Sequence, residues 1–284
     1  MKNVSNEFKE IIKAGGPFYA YAKVVLANGE QLTVDSENDF AIDGNGYSET
    51  GGSGFPLGVA MSKQIAILLD NSDDRYSGCD FYGAKITLYT EVDIPGGTVE
   101  RIPEGIFTVI DSVAPGDVLE ITACDNMYKL DAEYTSKLAY PATLQQMWNE
   151  LCSIYDLSSG SPTFSNNDFT VQTAPTGPTG REVAGYIAQM AIGNAVCDVN
   201  GRLCIKTYDF TPFDNVETVS ADEIETALGV HVLSLFSSAP DIGTDAVKIT
   251  GITTVVNNEE SREDTTIVYG TDEYALSINN PLIT

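Results

Sequence analysis

A chain of 284 residues with 43% apolar and 9% aromatic side chains can bury one large core or two to three ordinary ones, which excludes a disordered tail. Acidic side chains number 41 against 15 basic ones and a single histidine, His231, for a net charge of −26. Residues 1–140 hold 22 acidic and 10 basic groups and residues 141–284 hold 19 and 5, so the charge belongs to the whole surface and not to one tail. Such a surface repels phosphate backbones and argues against stable nucleic-acid binding.

No apolar run approaches the roughly 20 residues that span a bilayer. The first sixteen residues lack an apolar core followed by a small-residue cleavage site, so the expectation is a protein made and folded in a cytoplasm. The five cysteines, Cys79, Cys124, Cys152, Cys197 and Cys204, are scattered and form no CxxC. That pattern fits reduced thiols and neither a disulfide framework nor a zinc site.

The N-terminal element is a short amphipathic helix over residues 5–14, capped by Ser5, with Phe8, Ile11 and Ile12 as its apolar stripe. Strands at Tyr19–Leu26 and Glu30–Val34 flank Asn28-Gly29, a strong hairpin signal. Residues 35–58 are rich in Gly, Asp, Ser and Asn and read as irregular connections around one short strand.

The stretch Ser62–Val92 then reads as strand, acidic elbow, crossing segment and strand, the centre of a first domain. Ile65, Ile67 and Leu69 share one face of its first strand, and Ile86 and Leu88 one face of its second. The elbow runs Asp70-Asn71-Ser72-Asp73-Asp74-Arg75-Tyr76-Ser77-Gly78, residue types that bond their own backbone in turns. Behind it Phe81, Tyr82 and Ala84 are expected to be packing residues, with Gly83 between them. Further strands follow at Gly105–Val113 and Val118–Ala123, and Asp125–Asp131 forms a short helical or irregular exit. Six or more strands with regular turns predict a small antiparallel barrel or sandwich.

The texture changes at Pro141. Leu144, Met147, Trp148, Leu151, Cys152 and Tyr155 form a helical stripe, and Thr143 and Gln146 have capping-box spacing before it. Thr179 and Glu182 repeat that spacing before a second helix facing inward with Val183, Tyr186, Ile187 and Met190, which Gly193-Asn194 should stop. A hairpin over Ala195–Thr207 turns at Asn200-Gly201; counting outward opposes Val199 to Arg202, Asp198 to Leu203 and Cys197 to Cys204, two buried thiols facing each other without a bond. Past Asp209 the chain is irregular and acidic, with Asp222, Glu223 and Glu225. Strands return at Ala246–Val256, Thr265–Tyr269 and Tyr274–Ile278, with Asp272 in the last turn, and the end at Thr284 reads as a cut within a longer protein.

Little here is catalytic. His231 lies in the apolar run Val230-His231-Val232-Leu233, where a packed histidine is expected and not a base. No phosphate loop follows a strand and no HExxH occurs. Asp70, Ser72 and Asp74 alternate as in a calcium loop, but Arg75 stands at the position of the central glycine and Phe81 at that of the bidentate glutamate. No metal or other cofactor is expected, and the elbow reads as turn chemistry.

Several stretches, in order, resemble one family. They are the hairpin at Asn28-Gly29, Phe55-Pro56-Leu57-Gly58, Leu69 to Tyr76 and Asp80-Phe81-Tyr82-Gly83-Ala84. Gly105-Ile106-Phe107, Ala123-Cys124-Asp125-Asn126-Met127 and the hairpin Val199-Asn200-Gly201-Arg202-Leu203 follow, and the set closes with Tyr269-Gly270-Thr271-Asp272 and Asn280-Pro281-Leu282. Taken together the sequence resembles the baseplate hub, or tail-tip, proteins of tailed bacteriophages and prophages, which in siphophages are the N-terminal parts of tail-associated lysins.

The resemblance implies a mainly β protein with some helix (α+β): a first barrel-like tube domain over residues 1–134, a lateral α/β domain over 135–235 and the start of a second tube domain over 236–284. It implies a homotrimer whose six barrels form a pseudo-hexameric ring joining the tail tube to the tip, with adjacent tail-tube and tip proteins as partners. The place is then the virion tail tip, where DNA passes through without stable binding. In that setting Asp70, Asn71, Asp73, Asp74, Phe81, Gly83, Asn200 and Gly201 are structural-motif residues, and any lytic activity would lie beyond Thr284. Two other classes compete. One is a tail-associated peptidoglycan hydrolase or endopeptidase, which the single histidine weighs against; the other is a module binding host-surface glycans, for which the fourteen tyrosines are spread along the chain.

Overall fold

The computed structural model describes residues 4–41, 44–50, 57–113, 116–207, 251–258, 263–270, 275–278 and 280–283. Phe55, Pro56, Asp222, Glu223, Glu225, His231 and Asp272 lie outside the described residues.

Period-two alternation builds the first body of structure. Strands β1 (Tyr19–Val25), β2 (Gln31–Asp35), β3 (Gly46–Thr50), β4 (Ser62–Asp70), β5 (Lys85–Ile94), β6 (Thr98–Val113) and β7 (Val118–Asp125) form one seven-stranded sheet. Its order is β2-β1-β5-β6-β7-β4-β3, with every pairing antiparallel. Val24, Val34, Ile67, Ile86, Phe107 and Ile121, from six of these strands, meet in a single buried core. One face of the sheet therefore reaches one core, and the sheet bends around it.

The free edge of β4 is paired by the chain that leaves β2. The Asp70 N–H donates to the Asp39 carbonyl at 2.8 Å, the Ala41 N–H donates to the Leu68 carbonyl at 2.8 Å, and β3 covers Ser62–Ala66. Here β4 and β5, read from the sequence as one unit, are separated in the sheet by β6 and β7. What joins them is the crossing segment, whose Phe81 is buried in the core while Ala84 and Val109 bond at 2.9 Å. Tyr82 corrects its expectation, because it is 67% exposed.

Strand β6 is longer than expected, starting at Thr98 and not at Gly105. Pro103 fits inside it because the ladder to β5 shifts register there, Leu88 opposing Gly105 and Tyr89 opposing Pro103. Such a bulge relieves the missing proline donor. The helix α1 (Asn6–Lys13) is capped by the Ser5 hydroxyl, which accepts the Phe8 N–H at 3.0 Å, and the Ser5 N–H donates to Glu100 of β6 at 3.0 Å.

A 3-10 turn (Asn126–Asp131) leads from β7 into a second core. This core is made by α2 (Leu144–Ile154), α3 (Gly180–Met190) and the hairpin of β10 (Gly193–Cys197) and β11 (Leu203–Thr207). A two-residue ladder of β8 (Ala142–Thr143) and β9 (Thr170–Val171) precedes α2 and ties down the later loop. Both capping boxes form as the spacing predicts: Thr143 exchanges bonds with Gln146, and Thr179 with Glu182. Trp148 is fully buried, its indole N–H donating to the Ser159 hydroxyl at 3.0 Å and its ring edge-on to Phe164. Leu282 joins the same core, anchored by Asn280, whose amide donates to the Tyr186 carbonyl at 2.9 Å.

Two details of this half differ from the sequence reading. The stop of α3 is not Gly193-Asn194, which begin β10; it is Ile192, held at φ 59°. The hairpin turns on three residues and not two, the Asp198 N–H donating to the Arg202 carbonyl at 2.9 Å with Gly201 at φ 71°. One extra turn residue shifts the register, so Cys197 opposes Leu203 and Cys204 opposes Val196. The two thiols thus point to opposite faces of the hairpin, and all five cysteines are free. Where α3 crosses residues 57–60, two glycines meet: a Cβ on Gly185 would stand 2.5 Å from the Gly58 carbonyl oxygen, and one on Gly58 2.5 Å from Gln189 Cβ.

A separate three-stranded sheet places β12 (Gly251–Asn258) between β13 (Glu263–Gly270) and β14 (Ala275–Ile278). The three returning strands were expected as the start of an antiparallel barrel. Instead β14 lies on the far side of β12 from β13 and runs parallel to β12, Ile252 opposing Leu276.

A β-branched residue in the left-handed region costs about 1–2 kcal/mol, and Ile192 is 52% exposed, so little packing offsets that cost. The variant Ile192→Gly is expected to raise unfolding stability by up to about 1 kcal/mol after the extra freedom of the unfolded chain is subtracted. Urea titration reads this directly, and a loss of stability would show that the Ile192 side chain packs more than it strains.

Candidate functional site

The elbow after β4 is built from side chains that bond their own turn. The Asp70 carboxylate accepts the Ser72 N–H at 2.9 Å, and the buried Asn71 amide oxygen accepts the Tyr76 N–H at 2.9 Å. The Asn71 backbone is also spoken for, its N–H donating to the Asp117 carbonyl at 2.7 Å and its carbonyl accepting from Asp74 at 2.9 Å. Asp73 holds Arg75 at 2.9 Å, and Arg75 reaches on to Asp39 at 2.9 Å, the same carboxylate oxygen that accepts the Tyr76 hydroxyl at 2.9 Å. Tyr76 packs edge-on to Phe81 with ring centres 6.0 Å apart.

Electrostatics follow the bonds. The Ser72 amide holds the Asp70 carboxyl below its ordinary range, and Arg75 does the same for Asp73. Burial first, and then the Asp39 carboxylate, push the Tyr76 phenol up. For calcium, the three candidate residues are engaged otherwise: Asp70 by Ser72, Asp74 by the Ser77 hydroxyl at 3.1 Å, with the Arg75 guanidinium among the carboxylates. Among the described residues no three His, Cys, Asp or Glu side chains gather into a metal-holding group. Gly83 stands at φ 75° beyond the elbow, its N–H donating to the Val109 carbonyl at 3.0 Å.

The second cluster of motif residues is the turn Asn200-Gly201. The Asp198 carboxylate accepts the Asn200 N–H at 2.9 Å and the Arg202 N–H at 2.8 Å, and pairs with the Arg202 guanidinium at 2.7 Å. The turn touches the 3-10 segment through Asn126, whose amide donates to the Gly201 carbonyl at 2.7 Å.

Residues the sequence did not single out complete the picture. Asp39 gave no signal as a partner of the elbow because Arg75 and Tyr76, which it binds, lie 36 and 37 residues away. Glu150 on α2 collects the Tyr134 hydroxyl at 2.6 Å, the Ser136 hydroxyl at 2.7 Å and the Lys137 N–H at 2.7 Å. In the sequence Asp125 belongs to the exit and to the stretch Ala123-Cys124-Asp125-Asn126-Met127, with no sign of its burial. It is buried, caps the 3-10 turn by accepting the Met127 N–H at 3.1 Å, and leaves its other carboxylate oxygen without a hydrogen bond among the described residues. Nowhere do these groups assemble a nucleophile, a base and an oxyanion pocket; they are turn locks, caps and stitches.

No family model matches the chain, and no curated protein matches it. Solved structures of phage and prophage tail proteins and of a VgrG complex are similar to it in three dimensions. The 43 kDa tail protein of prophage MuSo2 from Shewanella oneidensis is 16% identical, with a TM-score of 0.48 over 93% of this chain and 72% of that one. The tail protein from Neisseria meningitidis MC58 is 11% identical, with a TM-score of 0.46 over 93% and 72%. The half-lidded Francisella PdpA–VgrG complex is 10% identical, with a TM-score of 0.46 over 96% of this chain and 46% of that one. With TM-scores below 0.5 these likenesses carry no residue role, partner or activity across.

Truncating Asn71 leaves the buried Tyr76 amide unpaired, so Asn71→Ala is expected to cost about 1–3 kcal/mol of unfolding stability. Asp70→Ala, at an exposed position, is expected to cost less, and calcium should leave the melting temperature of both proteins unchanged. A calcium-dependent rise in the native melting temperature that disappears in Asp70→Ala would reverse the assignment of the elbow to turn chemistry.

Proposed function

We propose that this chain is a non-catalytic structural part of a phage or prophage tail, acting at the baseplate hub where the tail tube meets the tip. The observation that carries the reading is the ordered set of sequence stretches resembling the baseplate-hub family, which runs from Asn28-Gly29 to Asn280-Pro281-Leu282. Four of these stretches fall at the joints of the fold, namely the hairpin between β1 and β2, the elbow after β4, the 3-10 turn after β7 and the turn before β11, while Gly105-Ile106-Phe107 lies inside β6. A protein whose motif residues lock joints is suited to holding a shape in an assembly.

In this reading the domains are residues 1–134, 135–235 and 236–284, the seven-stranded sheet is the tube-forming barrel, and three copies form a ring. Its ring partners are the adjacent tail-tube and tip proteins, its place is the virion tail tip, and synthesis is in the bacterial host. The surplus of 26 negative charges suits a bore through which DNA must slide, because acidic walls do not hold phosphate. Neither hydrolysis of cell wall nor glycan recognition is favoured by any cluster described above.

Light scattering on the purified chain, paired with a peptidoglycan-clearing assay, tests the proposal. A mass three times 30.5 kDa with no clearing is the expected result. A monomer that clears cell walls overturns the hub reading, and a trimer with a neutral or basic bore overturns the role given to the charge.

A further inference from the structure

The 3-10 turn is the joint between the two cores, and a carboxylate is sealed inside it. Asp125 is the last residue of β7 and the cap of the turn, and it is 2% exposed. One of its oxygens accepts the Met127 N–H; the other is buried and makes no hydrogen bond among the described residues. Next to it Asn126 stitches the turn to Gly201 of the helical half, while Phe107 of β6 opposes Asp125 in the sheet. A buried carboxylate with an unpaired oxygen is stable as the acid and costly as the anion.

The groups facing Asp125 do not cancel that cost. Lys63 of β4 and Arg181 of α3 favour the anion, but Arg181 is committed to Asp131 at 2.6 Å. Tyr47 of β3 and Cys197 of β10 feel the Asp125 charge as repulsion, which adds to the burial that pushes Tyr47 to about 12 and the Cys197 thiol above its ordinary range. Cys124, the preceding residue, is raised in the same way. Burial outweighs the Met127 hydrogen bond, the nearby Lys63 backbone N–H, which does not reach hydrogen-bond geometry, and the two cations, and the Asp125 carboxyl is pushed up to about 6.

We propose that Asp125 is a proton-operated latch: protonated, it keeps the joint between the sheet core and the helical core closed, and ionised, it lets the joint open locally. The sign follows from linkage. A carboxyl whose folded value lies above its open-state value binds more protons when closed, so closure is favoured at low pH and weakens as pH rises through about 6. From pH 5 to pH 7.5 the open fraction of the joint should rise about tenfold, the excess that those two proton affinities impose.

Trypsin reads the joint at Lys129, which lies in the 3-10 turn and is held by the Asp156 carbonyl at 3.0 Å, so cleavage there needs the turn to open. The native chain and Asp125→Asn, which keeps a capping oxygen and cannot ionise, are digested side by side at each pH, so that the pH dependence of trypsin cancels in the ratio. Cleavage at Lys129 is expected to be about tenfold faster in the native chain relative to the variant at pH 7.5 than at pH 5. A ratio that stays constant across this range overturns the latch and leaves Asp125 a fixed cap. If Asp125→Asn does not fold, carboxyl-carbon NMR of the native chain decides the matter: titration near 6 supports the latch, and titration at or below 4 overturns it.

Discussion

Everything in the first half of this protein depends on a sheet that buries one face only. Seven strands laid flat would leave their apolar face half wet, so the strands bend until Val24, Ile67, Ile86, Phe107 and Ile121 touch a common core. Bending brings the edge of β4 near the chain that leaves β2, and residues 39–41 fill that edge with backbone hydrogen bonds. An open edge is an aggregation hazard. The elbow sits at this closure point, and its side chains bond across it: Arg75 and Tyr76 both reach Asp39.

The two cores meet along two segments, the 3-10 turn and residues 58–61. Asp125 and Asn126 do the sheet-to-helix work on one side; on the other, residues 58–61 bond to β10 (Gly58 N–H to the Gly193 carbonyl, Ala195 N–H to the Val59 carbonyl, Met61 N–H to the Ala195 carbonyl) and Gly58 packs on Gly185. A joint sealed around a carboxylate and one tied by backbone hydrogen bonds differ in kind. The first responds to protons, since its strength depends on a charge; the second holds through uncharged backbone hydrogen bonds and a close glycine contact. A proton-linked loosening of the first would leave the second in place, so the helical half would swing and not detach.

Local chemistry was legible in the sequence, and long-range pairing was not. Thr143 with Gln146 and Thr179 with Glu182 were read correctly because a capping box is complete within four residues. The same holds for Asn28-Gly29 and for the alternation of Ile65, Ile67 and Leu69. The separation of β4 from β5 by two other strands left no local trace, since any antiparallel order satisfies the same alternation. The register of the β10–β11 hairpin failed for a smaller reason: Asn-Gly suggests a two-residue turn, and only the bonds of Asp198 reveal a third turn residue. Asp125 was hidden by its company, for among 41 acidic residues nothing in the sequence marks Asp125 as buried.

The meeting of Gly58 and Gly185 has a mechanical meaning. Side chains between two bodies act as springs, because each rotatable bond gives a little under load. Here the spacer is missing, and main chain bears on main chain, with the Gly58 oxygen 2.5 Å from where a Cβ on Gly185 would stand. A push on α3 passes into the segment that leads to β4 with no rotamer to absorb it. Such a contact is a hard stop.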